Sequence, residues 1–127
     1  MIKKTITYKD FNDVERTEDY YFNLTKAELT DLQLSAEGGL DVLINRIIKE
    51  QNITEIMRIF KLIIQKSYGI KSDDGKHFRK SDEIFEDFAN TNAYDELLVD
   101  IISSPESAEK FIEGILPAGY ADKVKNQ

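Results

Sequence analysis

Tyr20-Tyr21-Phe22-Asn23-Leu24-Thr25-Lys26-Ala27-Glu28-Leu29 is the stretch on which the fold turns, because an alternating strand runs in it straight into a helix start. Thr25 is placed to accept a hydrogen bond from the Glu28 amide, while the Glu28 side chain reaches back to the Thr25 amide. Leu24 and Leu29 are spaced to close a hydrophobic staple over that first turn. Such a junction predicts a hairpin feeding a helical body, and it places no reactive group.

Working back toward the N-terminus, Ile2, Lys4, Ile6 and Tyr8 alternate with Lys3, Thr5 and Thr7, the period-two pattern of a strand. Lys9-Asp10-Phe11-Asn12-Asp13 reads as a turn, since Asn and Asp bond their own backbone and tolerate positive φ. Val14 to Phe22 alternates again and completes an antiparallel hairpin. A lone hairpin is marginal in water, so it has to pack on helices or pair with another chain.

Working forward, Lys26 to Leu34 is a short helix ending toward Gly38-Gly39. Leu40, Leu43, Ile44, Ile47 and Ile48 fit one helical face, and Asn52 offers a cap with Glu55 three residues on. Ile53 to Tyr68 carries Ile56, Met57, Ile59, Phe60, Leu62, Ile63 and Ile64, an apolar sector broad enough for a central core helix closed by Gly69. Ile70 to Lys80 is a polar loop in which Asp74-Gly75 fits a tight turn with Ile70 and Phe78 pinning its two ends, and a second small hairpin fits there. Ser81 caps a helix that points Ile84, Phe85, Phe88 and Ala89 inward. Thr91 or Asn92 starts another with Tyr94, Leu97, Leu98, Ile101 and Ile102 inward. Ser104-Pro105 opens the last, whose inward set is Ala108, Phe111, Ile112, Ile115 and Leu116 and which stops before Pro117. The expected fold class is α+β, mainly α: an N-terminal antiparallel β-hairpin packed on a bundle of about five to six short helices. Residues 1–117 are expected to form a single globular domain, with the hairpin at 1–23 and the helical body at 25–116. Residues 118–127 are expected to be a flexible tail.

Composition narrows the function. The 127 residues suffice for one domain that buries roughly two thirds of its unfolded surface. Zero cysteines exclude a disulfide framework, a thiolate zinc site and a cysteine nucleophile. No apolar h-region follows Lys3-Lys4, and no apolar run approaches the roughly 18 residues of a membrane span. A net charge of −7 argues against nucleic acid as a partner. The charge is segregated, with seven basic residues against three acidic ones from Ile53 to Lys80, then ten acidic against Lys110 alone from Ser81 to Glu113. This asymmetry suits self-association or a basic partner.

Candidate chemistry falls away on inspection. His77 is the single histidine and lies in the polar loop, so neither a histidine metal site nor a Ser-His-Asp arrangement with its sharp nucleophile turn is expected. Asp73-Asp74-Gly75 looks like part of a calcium loop, yet Lys71 and Ser81 stand where oxygen ligands and a closing Glu are required. Gly38-Gly39 has no third glycine and no following Lys-Ser or Lys-Thr, which leaves a helix break. Asp95 with Glu96, and Glu86 with Asp87, are sequence neighbours that diverge around a helix. No catalytic, cofactor-binding or metal residue is expected. Alternation sets Tyr21 on the opposite face from Tyr20 and Phe22, so at least one large aromatic needs cover from outside the simple core face. Tyr20, Tyr21 and Phe22, with Arg58 and Lys61 on the basic stripe of the long helix, are the candidate partner-binding residues.

A set of strings then comes together in order along the chain. They are Lys4-Thr5-Ile6-Thr7-Tyr8, Glu15-Arg16-Thr17-Glu18-Asp19, Tyr21 to Leu29, Glu37-Gly38-Gly39, Ile59-Phe60-Lys61, Ser67 to Lys76, Phe78-Arg79-Lys80-Ser81 and Lys110 to Ile115. In this pattern the chain resembles the tail assembly chaperones of bacteriophages with long, flexible, non-contractile tails, the siphovirus type. The resemblance implies a non-enzymatic protein that coats the tape measure protein and keeps it soluble during tail morphogenesis. It implies action in the host bacterial cytoplasm and absence from the mature virion. It also implies, in many phages, a longer frameshifted form that recruits the tail tube protein. Two other readings carry different marks: a structural tail or virion component would persist in particles, and a small acidic regulatory or inhibitor protein would bind in a salt-sensitive way through Asp82, Glu83, Glu86 and Asp87.

Overall fold

The computed structural model describes residues 1–35, 49 and 53–116. The expected helix at 40–48, the Gly38-Gly39 break, the Asn52 cap and the 118–127 tail lie outside the described residues. In chain order the elements are β1 (Ile2–Lys9), β2 (Glu15–Phe22), α1 (Lys26–Ser35), α2 (Ile53–Ser67), β3 (Tyr68–Lys71), β4 (Phe78–Arg79), α3 (Asp82–Ala89), α4 (Asn92–Ile102) and α5 (Pro105–Ile115). The architecture is α+β and mainly α, with an antiparallel sheet in the order β1-β2-β3-β4.

The hairpin alternation is realised residue by residue. Ile2 pairs with Phe22, Ile6 with Glu18 and Tyr8 with Arg16, and this set faces the helices. Lys3 with Tyr21, Thr5 with Asp19 and Thr7 with Thr17 form the opposite face, where the Thr5 hydroxyl donates to Asp19 at 2.6 Å. The connecting turn closes on a residue in the left-handed region. The Asp13 amide donates to the Asp10 carbonyl at 3.0 Å, and Asp13 itself takes φ 62°. Asp10 accepts from the Asn12 and Val14 amides and from Arg16 Nε at 2.7 Å. The Arg16 guanidinium and those amides hold the Asp10 carboxyl below the usual carboxylate range.

The second strand pair sits where the polar loop predicts it. Ile70 pairs with Arg79 and Lys71 with Phe78, and the connecting turn has Gly75 at φ 77°. One expectation is corrected here. Gly69 does not cap the long helix; α2 ends at Ser67 and passes directly into β3, which pairs with the end of β2 through Tyr21–Gly69 and Phe22–Tyr68. A side chain at Gly69 would meet the Arg79 carbonyl at 2.9 Å and the Phe78 ring at 2.8 Å. Close approach of β4, rather than positive φ, is what this glycine permits.

Three helix starts follow their capping residues. At α1 the Thr25 amide donates to Glu28 Oε1 at 2.9 Å and the Glu28 amide to Thr25 Oγ1 at 3.1 Å, with Leu24 and Leu29 both buried. Ser81 Oγ accepts from the Ile84 amide, and Ser104 Oγ from the Ser107 amide with Pro105 in the first helical turn. The core lies between the sheet and the helices. Phe22, Phe60, Phe111, Ile63, Ile64, Leu97, Ile101 and Ile115 are all nearly or wholly withdrawn from solvent.

Candidate interaction surface

The five candidate residues occupy three different places. Phe22 is 0% exposed and lies at the centre of the core, its ring 5.3 Å from Phe111, 5.6 Å from Tyr68 and 6.0 Å from Phe88. It supports the surface from beneath and does not form it. Tyr20, on the same face, is half-buried against Phe88 at 4.9 Å and donates its hydroxyl to Glu18 at 3.2 Å. Tyr8 donates to the same carboxylate, so one acid collects two phenols. Burial first, and then the Tyr8 and Glu18 neighbours, push the Tyr20 phenol well above its ordinary pKa.

Tyr21 points to the opposite face, half-exposed, with the Lys71 ammonium 5.5 Å from its ring centroid. Its neighbours there are polar: Lys3 across the strand and the Thr5–Asp19 pair beyond. The sheet thus offers one aromatic and several hydrogen-bonding side chains on a face that no described helix covers. Arg58 and Lys61 are exposed on α2, whose inward side buries Ile59, Phe60, Ile63 and Ile64. The basic stripe of α2 is therefore presented outward, as the sequence pattern implies.

The structure adds residues that pattern reading passes over. Phe11 is 77% exposed and Val14 53% exposed at the hairpin tip, Leu62 is 43% exposed beside Lys61, and Ile70 is 51% exposed. The only sequence signal for Phe11 is a large apolar residue inside an Asp/Asn turn. Ile70, Glu83, Ile84, Glu86, Asp87 and Asn90 line a groove of about 440 Å³. Here part of the acidic segment of the sequence shares a surface with two isoleucines.

Lys80 was also beyond sequence reading. Its ammonium donates to the Asn23 carbonyl at 2.6 Å, the Lys66 carbonyl at 2.9 Å and Glu28 Oε1 at 2.7 Å. It ties the β2–α1 junction, the last turn of α2 and the first turn of α1 together. Burial would raise the Glu28 carboxyl, but its bonds to Lys80 and Thr25 outweigh that and hold it below the ordinary glutamate value.

Among the described residues no three His, Asp or Glu side chains converge as a metal site requires, and no helix is long and apolar enough to cross a membrane. What the described surface holds is contact chemistry: exposed apolar side chains, a cationic helix stripe, an acidic groove and an uncovered sheet face.

Comparison with known proteins agrees with that character. No curated protein and no solved structure matches the chain. A family model described as phage tail assembly chaperone matches residues 1–127. With the whole chain inside that match, the protein belongs to the phage tail assembly chaperone family.

Proposed function

We propose that this tail assembly chaperone binds the phage tape measure protein and keeps it soluble until the tail tube polymerises around it. The observation that carries the reading is the family match across the full length of the chain. A tape measure protein presents long helical stretches with apolar faces, and a holding protein needs exposed apolar residues set among charges that keep the complex in solution. Phe11, Val14, Leu62 and Ile70, bordered by acidic and basic segments, supply that combination.

Binding is non-covalent and needs no catalytic step. Tyr20, Tyr21, Arg58 and Lys61 contribute partner contacts, with Phe22 fixing the strand that carries the two tyrosines. Residues 1–117 act as one unit. The site of action is the host cytoplasm, and the protein leaves before the virion is complete. A longer frameshifted form would bring tail tube subunits to the same complex.

Co-expression with the tape measure protein, followed by pull-down and separation of soluble from pelleted material, tests the reading. Retention and increased solubility of the tape measure protein are expected. A tape measure protein that is neither retained nor solubilised overturns it. Mass spectrometry of purified particles supplies the second check, since a structural component would be found there and a departing chaperone would not.

A further inference from the structure

We propose that the groove between β3 and α3 receives an amphipathic helix of a partner protein that carries lysine or arginine beside its apolar face. Ile70 of β3 lines it together with Glu83, Ile84, Glu86 and Asp87 of α3 and with Asn90, the residue that closes α3. Its volume of about 440 Å³ lies within the roughly 300–1,000 Å³ of clefts that hold ligands. Ile70 is 51% exposed and Ile84 half-buried, so apolar surface remains for an incoming side chain to cover.

Both walls are fixed before anything binds. β3 is paired on either side, with β2 and with β4. The Tyr68 ring of β3 stacks on Phe88 of α3 at 4.4 Å. Ser81 Oγ caps the start of α3, and at its end Asn90 Nδ2 donates to the Glu86 carbonyl at 2.8 Å. A groove already held in one shape loses little conformational freedom on docking.

Charge selects the occupant. Segment 81–90 holds four carboxylates and no cation. Glu83, Glu86 and Asp87 recur at helical spacing, so their like charges repel along one side of α3. Among the described residues none of these three is in an ion pair. Arg79, opposite Ile70 on β4, forms none with them, and the Lys71 ammonium lies over the Tyr21 ring. Cations brought by a partner relieve the repulsion while its apolar side chains cover the two isoleucines. A helix with apolar residues at i and i+4 and cations beside them presents both along one face. A purely apolar helix would bury carboxylates without partners, and an acidic one is repelled. A metal ion is a poor alternative, because among the described residues no three acidic side chains converge on one point. The occupant is defined by this chemistry, and docking does not depend on the tape measure protein being the client, whose retention is scored separately.

NMR titration of the isotope-labelled full chain with three synthetic peptides of about 15 residues tests this. The first is an amphipathic helix with leucines on one face and lysines beside them; the second has glutamate for each lysine; the third scrambles the first so that no apolar face remains. The basic helix is expected to shift the amide signals of Ile70, Ile84, Glu86 and Asp87, and to bind more weakly as salt rises. The other two peptides are expected to bind at least about tenfold more weakly. Glu83→Gln with Asp87→Asn, and separately Ile70→Ser, should each weaken the basic helix at least about tenfold. Glu106→Gln with Glu109→Gln removes two charges from exposed positions on α5 and should change binding by less than about twofold. All substitutions are at exposed positions, and circular dichroism melts verify the fold. Failure of the basic helix to bind at about millimolar concentration, equal binding of the three peptides, shifts centred away from the groove, or equal losses in the two carboxylate variants each overturn the proposal. Groove signals that move with protein concentration alone, before any peptide is added, would place a second copy there and overturn it as well.

Discussion

At the scale of single residues, Lys80 has a structural role that no local pattern in the sequence marks. Its three acceptors come from α1, α2 and the β2–α1 junction, and its side chain is only 19% exposed. Replacing it with Met keeps the aliphatic stem and leaves two carbonyls and a carboxylate short of a donor. Lys80→Met is expected to cost about 2–3 kcal/mol, the range for an unsatisfied buried group and a partly buried broken pair. Urea titration of both proteins checks this. Glu28, its partner, has a folded pKa below the unfolded one, so its contribution is fully present above the ordinary glutamate range. That contribution is lost as pH falls through the folded value. Glu28→Gln is therefore expected to lower stability at neutral pH and to flatten the acid limb below about pH 4.5, as followed by thermal melts across pH. A variant with an unchanged acid limb would show that other carboxylates set it. The Thr25–Glu28 box was legible because its partners are three residues apart. The Lys80 contacts were not, because Asn23 and Glu28 are 57 and 52 residues away and no local pattern encodes them.

At the scale of elements, local signals held wherever the element is long or capped by its own side chain. β1 and β2 declared themselves by alternation, and α1, α3 and α5 by Thr25, Ser81 and Ser104. The short strands were harder. The second hairpin forms in the polar loop as expected, but Phe78 pairs with Lys71 and not with Ile70, and the direct passage from α2 into β3 leaves Gly69 no capping role. A two-residue strand such as β4 carries no periodicity, so the neighbour that demands a glycine is invisible until the chains are brought together. Gly69→Ala forces the new methyl against a backbone carbonyl at 2.9 Å, where a ring tip could swing aside but the strand cannot. The expected loss is about 1–3 kcal/mol, typical of overpacking. It should appear as a lower melting temperature together with faster amide exchange at β3 and β4. Exchange confined to the hairpin tip would locate the damage elsewhere and refute the packing argument.

At the scale of the whole molecule, the sheet has one face packed on helices and one that no described helix covers, and adjacent residues of one strand serve both. Phe22 sits among Tyr68, Phe88 and Phe111, and Phe111 in turn meets Phe60 at 6.4 Å, so a chain of rings joins the sheet to α2. Phe22→Ala opens a cavity in that chain and is expected to cost about 3–5 kcal/mol, a large part of the stability of a domain this size. Tyr21, one residue away, lies on the opposite face with the Lys71 ammonium 5.5 Å from its ring centroid. Losing that contact costs about 0.5–1 kcal/mol, so Tyr21→Ala is expected to melt within a few degrees of the wild type. The sequence placed these side chains on opposite faces but did not say which face is the core, because a strand alternates identically whichever side the helices choose. If the outer face of the sheet takes part in holding the client, Tyr21→Ala weakens retention of the tape measure protein by a route independent of stability: the melt is preserved and pull-down yield falls. Phe22→Leu, which refills most of the core volume and leaves the outer face untouched, should keep that yield near the wild-type value. Equal yields from the wild type and Tyr21→Ala would remove the outer face of the sheet from the binding surface and leave the α2 stripe and the acidic groove to carry it.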